Sequence, residues 1–162
     1  MRVFRIAKKR YAADLSGAGA RMAGGRWNFK GLPVAYTSES RALAFCEFFI
    51  HVSPAFIPKN LKIVPILIPD DIQPASIYKE NLPSDWRNMT PSYRTAQIGT
   101  EWLQSNATLL LRVPSAVIPE EHNILINPMH EHIHLTEIES IDDFHIEERY
   151  LGLIKKQRPN VQ

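Results

Sequence analysis

The chain has 162 residues, 19 Lys+Arg against 17 Asp+Glu, and 44% hydrophobic with 22% charged side chains. That is one domain's length with ordinary globular composition, which excludes a disordered or fibrous protein. A net charge of +2 is too small a surplus for a basic nucleic-acid-binding surface. The single cysteine, Cys46, excludes an intramolecular disulfide and a Cys-based zinc finger. It lies in Ala-Phe-Cys-Glu-Phe-Phe and reads as a buried structural thiol. No apolar run reaches the ~18–20 residues that cross a bilayer, and the charge-broken start lacks a signal-peptide core. The expected compartment is the cytoplasm, without membrane contact.

In chain order, Val3–Ile6 reads as a first strand, followed by a polar stretch from Ser16 to Gly31 that holds five of the seven glycines. Residues 33–37, Pro-Val-Ala-Tyr-Thr, are short, β-branched and aromatic, and predict a strand. Ser38 is positioned as the N-cap of a helix that should run to about Val52 and stop before Pro54. Leu61–Ile68 predicts an apolar strand in which Pro65 marks an edge or a bulge. A second helix begins at Pro91, with Ile98 and Trp102 on one face. Leu109–Val113, Asn123–Ile126, His132–Glu137 and Asp143–Ile146 complete the strands. Alternating elements with strands crowded late predict a mixed α+β domain.

The glycine-rich segment fails both common phosphate-loop patterns, since GxGxxG would need glycine where Met22 stands and no Gly-Lys-Ser/Thr follows. What remains is a pliable backbone carrying Arg21, Arg26 and Lys30, cations suited to a phosphate or pyrophosphate. Spacing alone favours a plain surface loop that merely contains basic residues. Glu47 is the only charged side chain from Ala42 to Ile50. It shares a helical stripe with Ser40, Ala44 and His51, which is either solvated or the lining of a cleft. In a strand His130, His132 and His134 would project from one face and form a candidate zinc site, although such alternation also marks the wet side of a sheet. Ser115 follows a strand end with no GxSxG around it, and by itself reads as a turn residue. Trp86 and Trp102 read as core.

The run from Gly24 to Glu47, Gly-Gly-Arg-Trp-Asn-Phe-Lys-Gly-Leu-Pro-Val-Ala-Tyr-Thr-Ser-Glu-Ser-Arg-Ala-Leu-Ala-Phe-Cys-Glu, resembles the RES-domain toxins of bacterial toxin–antitoxin systems. That family is named for an arginine, a glutamate and a serine, matched here by Arg26, Glu47 and Ser115 (in Arg-Val-Pro-Ser-Ala-Val). Tyr36 matches a further active-site tyrosine. The similarity runs from Phe-Arg-Ile at 4–6, through Asn-Pro-Met-His at 127–130, to a degraded closing strand at Phe144–Leu151. There Glu147-Glu148-Arg149 replaces an Asp-Pro-Arg-like segment, so no role is carried onto Glu148. The implied organisation is a single RES domain over residues 1–152, with a basic tail over 153–162.

The resemblance implies an ADP-ribosyltransferase-like α+β fold, with two small β-sheets and surrounding helices about a central NAD+ cleft. It implies a toxin that degrades NAD+ by cleaving the nicotinamide–ribose bond, through hydrolysis or phosphorolysis. The alternatives are transfer of ADP-ribose to a specific cellular protein, or a non-enzymatic partner-binding domain. Glu47 is then expected to stabilise the developing ribosyl cation, and Arg26 to hold the phosphates while Gly24 and Gly25 admit close backbone approach. Tyr36 walls the nicotinamide, Asn28 adds a polar contact, and Ser115 bonds the substrate or Glu47. NAD+ is substrate, with phosphate as a co-substrate in phosphorolysis; neither a resident cofactor nor a metal is required. The implied partner is a helix-turn-helix antitoxin that blocks the active site and supplies the only contact with DNA, in a complex compatible with a toxin homodimer.

Overall fold

A computed structural model describes residues 1–51 and 59–150. The described chain forms β1 (Arg2–Lys8), α1 (Ala18–Ala23), β2 (Ala35–Ser38), α2 (Arg41–Ile50), β3 (Leu61–Leu67) and β4 (Ala75–Ser76), then α3 (Tyr93–Ser105), β5 (Leu110–Pro114), β6 (His122–Ile126), β7 (Glu137–Ile138) and β8 (Asp142–Phe144). The α+β expectation is met. Its strands make one hydrogen-bonded sheet in the order β4-β5-β6-β2-β1-β3-β7, with β8 also on β3.

Two small sheets were implied, and the single sheet nearly divides into two. β1 and β3 share a register from Arg2↔Leu67 to Lys8↔Leu61, whereas β1 and β2 meet only at Phe4↔Ser38. Beyond that narrow seam, β2, β6 and β5 pair antiparallel, and β4 adds the one parallel pairing among the described strands. Strand alternation separates two apolar clusters. Val3, Ala35, Val64, Ile66, Ile124 and Ile126 belong to one, and Trp27, Val34, Trp102, Leu111, Val113 and Leu125 to the other. Tyr36 packs against the second cluster. Trp86 and Trp102 are buried, as core tryptophans should be.

Several local expectations change. Ser38 stays in β2 and gives its hydroxyl to Asn123, while Ser40 caps α2 by accepting from the Leu43 N–H at 3.0 Å. The helix ends at Ile50 with His51 as its C-cap; the expected end at Val52 and the stop before Pro54 lie outside the described residues. α3 starts at Tyr93 behind a Ser92 cap, two residues after Pro91. Pro65 causes no bulge, because it pairs with Phe4 in an unbroken register. Its carbonyl accepts from Glu139, so its missing N–H points to the same side, into the gap between β8 and β7. The glycine-rich stretch is not simply loop, since it contains α1 between Gly17 and Gly24. No helix among the described residues is long and apolar enough to cross a membrane. The expected boundary between domain and basic tail lies outside the described residues.

The expected strand at His132–Glu137 is instead a 3-10 helix over Glu131–Leu135, leaving only Glu137–Ile138 extended. Turn chemistry overrides the alternation. Asn127 Oδ1 accepts from the Met129 N–H at 3.0 Å, and His130 Nδ1 accepts from the His132 N–H at 3.1 Å. Alternate residues of a 3-10 helix do not share a face. His130 is accordingly buried while His132 and His134 are exposed, and no group of three His, Cys, Asp or Glu among the described residues is arranged to hold a metal.

Candidate active site

The period of two along β2 places Tyr36 and Ser38 on the same face of the sheet. Each is bonded to a different wall. The first wall is the loop from Gly24 to Phe29. Tyr36 Oη accepts from the Trp27 N–H at 3.0 Å and donates to Asn28 Oδ1 at 2.9 Å. Asn28 Nδ2 donates to the carbonyls of Ala20, Phe29 and Leu32. Gly25 lies so near this junction that a Cβ there would sit 2.6 Å from Tyr36 Oη. Gly24 is in the left-handed region at φ 73° and ends α1.

These contacts refine two expectations. Asn28 is 1% exposed, and its amide is committed to hydrogen bonds with the loop and with Tyr36. Tyr36 spends its hydroxyl likewise. Burial pushes its phenol above the usual tyrosine range, against smaller opposing effects of the Trp27 hydrogen bond and the Arg26 charge. It therefore remains a neutral donor.

Arg26 extends from this loop to a turn that follows Pro83. Its Nη1 donates to the Trp86 carbonyl and its Nη2 to the Asn88 carbonyl, the latter at 2.9 Å. The Nε–H and the second hydrogen on each terminal nitrogen have no partner among the described residues. Burial lowers the guanidinium's pKa, and the charges of Glu47 and Tyr36 act in the opposite direction. The same turn reaches the opposite wall, where Arg87 Nε donates to the Ala116 carbonyl at 3.2 Å.

The second wall centres on Glu47, half-buried on α2 beside buried Ala44. Its Oε1 accepts from Ser115 Oγ at 2.7 Å and from Asn123 Nδ2 at 2.5 Å. Among the described residues Oε2 receives no hydrogen bond. Ser115 is fully buried at the end of β5, and its oxygen also accepts from the N–H groups of Val117 and Ile118, both at 3.0 Å. Its hydrogen-bonding capacity is then used up. Of the two partners expected for Ser115, substrate or Glu47, the geometry provides Glu47.

A sequence model of the RES domain matches residues 2–147. The chain belongs to the RES domain family. Curated relatives include a Prs ADP-ribosylating toxin from Sphingobium sp., 42% identical over 121 residues that cover 74% of this chain and 75% of that protein. A protein named Toxin Res from Photorhabdus laumondii subsp. laumondii is 36% identical, covering 83% and 86% of the two chains. Another Toxin Res, from Yersinia enterocolitica, is 37% identical, covering 81% and 86%. Among solved structures, the M. tuberculosis MbcT-MbcA toxin-antitoxin complex contains a chain that superposes with a TM-score of 0.70. That match covers 96% of this chain and 87% of the other at 15% identity, and bears on the fold.

This RES domain brings Arg26, Tyr36, Glu47 and Ser115 to one side of the sheet around β2. Sequence reasoning did not single out Asn123, Ser38 or the Trp86–Asn88 turn as parts of the site. A polar pair inside apolar strands, Ser38 on β2 and Asn123 on β6, was the available signal for the first two. His122, on the other face of β6, has its Nδ1 2.8 Å from Arg112 Nη2 and 3.4 Å from Glu39 Oε1. Cys46, next to Glu47, is free and half-buried, less enclosed than the apolar residues around it implied.

Proposed function

We propose that this RES domain is the toxin of a toxin–antitoxin pair and that it cleaves the nicotinamide–ribose bond of NAD+. The observation that carries the reading is the Glu47 carboxylate, held on one oxygen by two side-chain donors while its other oxygen receives no hydrogen bond among the described residues, near a half-buried arginine. Nicotinamide in NAD+ is a cationic leaving group, so the C–N bond breaks with its electron pair passing to the ring and needs no general acid. Positive charge then develops on the ribose, as in glycoside hydrolysis. A carboxylate already oriented before the reaction stabilises that charge without reorganising.

In this reading Glu47 Oε2 faces the nicotinamide ribose, and Arg26 directs its spare donors to the diphosphate. The Tyr36 ring walls the nicotinamide. Water or phosphate attacks the cation, and Oε2 takes the proton when water is the nucleophile. The scheme requires neither a metal nor a resident cofactor. The partner is an antitoxin covering this cleft, consistent with relatives named as toxins and with the fold shared with a toxin-antitoxin complex. A helix-turn-helix antitoxin would bring DNA to the complex while the toxin contributes no basic face.

A second reading, transfer of ADP-ribose to a protein side chain, is favoured by the Sphingobium relative named as an ADP-ribosylating toxin. It uses the same bond cleavage with a different acceptor. Purified protein incubated with NAD+, with and without phosphate, separates these by product mass. Free ADP-ribose marks hydrolysis, its phosphate adduct marks phosphorolysis, and label from NAD+ on a lysate protein marks transfer. Intact NAD+ and an unlabelled lysate would leave a partner-binding domain without enzymatic activity.

A further inference from the structure

Glu47 Oε1 has a second donor, from a residue with no assigned role. Asn123 stands on β6 opposite Ser38 of β2, and its Nδ2 lies 2.5 Å from Glu47 Oε1. An ionised carboxylate only accepts hydrogen bonds, so the amide must turn its nitrogen to Glu47 and its oxygen away. Ser38 Oγ donates to that oxygen at 2.7 Å, and it is fixed on a buried stretch of strand. The chain Ser38–Asn123–Glu47 thus has one sense of donation. Ser115 approaches the same carboxylate oxygen at 2.7 Å.

We propose that Asn123 is a positioning residue for Glu47. Its amide, oriented by Ser38, makes Oε1 the anchored oxygen and leaves Oε2 as the working one. The proposal rests on the NAD+-cleaving reading of the site. Glu47 has a flexible side chain on a ten-residue helix, and one donor would leave the carboxylate free to rotate about that contact. Two donors from separate elements, the turn after β5 and the middle of the sheet, fix its plane. Among the described residues, the charged and titratable groups about the carboxylate are Arg26, on which its charge acts, His51 one turn along α2, and Glu121, whose carboxylate meets Ser40 on the same helical stripe.

The test uses the purified full chain with NAD+, Asn123→Ala, Asn123→Asp, Ser38→Ala and the Ser38→Ala/Asn123→Ala double variant. Asn123→Ala should lower kcat ten- to a hundredfold while KM changes less than threefold, with retained circular dichroism. Asn123→Asp replaces a donor by a second acceptor against Glu47, so the acid limb of its kcat/KM profile should move up by at least one pH unit, because like charges disfavour joint ionisation. Ser38→Ala should cost several-fold in kcat, and adding it to Asn123→Ala should cost nothing more, as expected of residues acting through one contact. Wild-type kcat in folded Asn123→Ala, or Asn123→Ala and Asn123→Asp indistinguishable in both rate and pH profile, would overturn the proposal. Should Asn123→Ala not fold, an unshifted profile for a folded Asn123→Asp would do so. A wild-type protein that leaves NAD+ intact and transfers no ADP-ribose would instead overturn the functional reading beneath it.

Discussion

The two walls of the site are built in opposite ways. The glycine wall is local, since Tyr36, Asn28, Trp27, Gly25 and Ala20 are joined within a short stretch of chain, largely through backbone groups. The carboxylate wall joins Ser38, Glu47, Ser115 and Asn123, drawn from β2, α2, the end of β5 and β6, through side chains. A local wall gets its shape from close backbone approach, and a long-range wall from the sheet register that aligns its donors. β2 serves both, through Tyr36 at one position and Ser38 two residues on.

The difference can be broken from either side. The largest effect is expected for Arg26→Ala, which removes the proposed phosphate anchor and abandons the Trp86 and Asn88 carbonyls. NAD+ cleavage should fall by about 10²-fold or more, and denaturant unfolding should show a loss of about 1.5–3 kcal/mol for hydrogen bonds from a charged group. If stability is unchanged, the turn does not depend on Arg26 and the two walls are not tied through it. Gly99→Ala addresses how α3 is set against the glycine wall. A Cβ there would lie 2.0 Å from the Trp27 carbonyl oxygen, a clash with backbone that no rotamer relieves. We expect a loss of about 1–3 kcal/mol together with reduced activity, since Thr100 Oγ1 on the same helix accepts from the Phe29 N–H. A fully stable Gly99→Ala would show that α3 does not hold the loop.

Tyr36→Phe is the milder test. It keeps the ring but leaves the Trp27 N–H and Asn28 Oδ1 without their shared partner, at a cost of about 1–3 kcal/mol if no water replaces the hydroxyl. Activity should fall less than for Arg26→Ala, because the wall for the nicotinamide remains. Smaller still is a pH effect at the entry to the glycine stretch. Hydrogen bonds from Ser16, with a lesser contribution from the Arg5 charge, hold the Asp14 carboxyl below its usual range. Its folded value being depressed, its stabilising contribution is present above the ordinary carboxylate range and disappears as pH falls through the folded value. Asp14→Asn should flatten that part of the acid-unfolding curve slightly, and an identical curve would remove Asp14 from the account.

This division also explains what the sequence disclosed. Most strands were legible from apolar and β-branched runs, and the second helix from its Ile98 and Trp102 face. The 3-10 helix at Glu131–Leu135 was not, because side-chain-to-backbone bonds of Asn127 and His130 outweighed an alternating pattern. In the site, the crowding of glycines around Arg26 was visible, yet spacing alone did not separate a ligand-binding wall from a surface loop. Glu47 likewise stood out as a lone charge among apolar neighbours, and only its likeness to RES-domain toxins gave it a role. Ser38 was read as a helix cap and Asn123 as the start of a strand, and their part in the site was missed because it lies in sheet register, which places them opposite one another across β2 and β6.

The most direct measurement is release of free nicotinamide from NAD+ by the purified wild type and by Glu47→Gln, each checked for folding by thermal denaturation. Glutamine preserves the side chain's shape but cannot stabilise the ribosyl cation. We expect steady release by the wild type and a loss of at least about 10²-fold in a folded Glu47→Gln. Release by Glu47→Gln at the wild-type rate would contradict it.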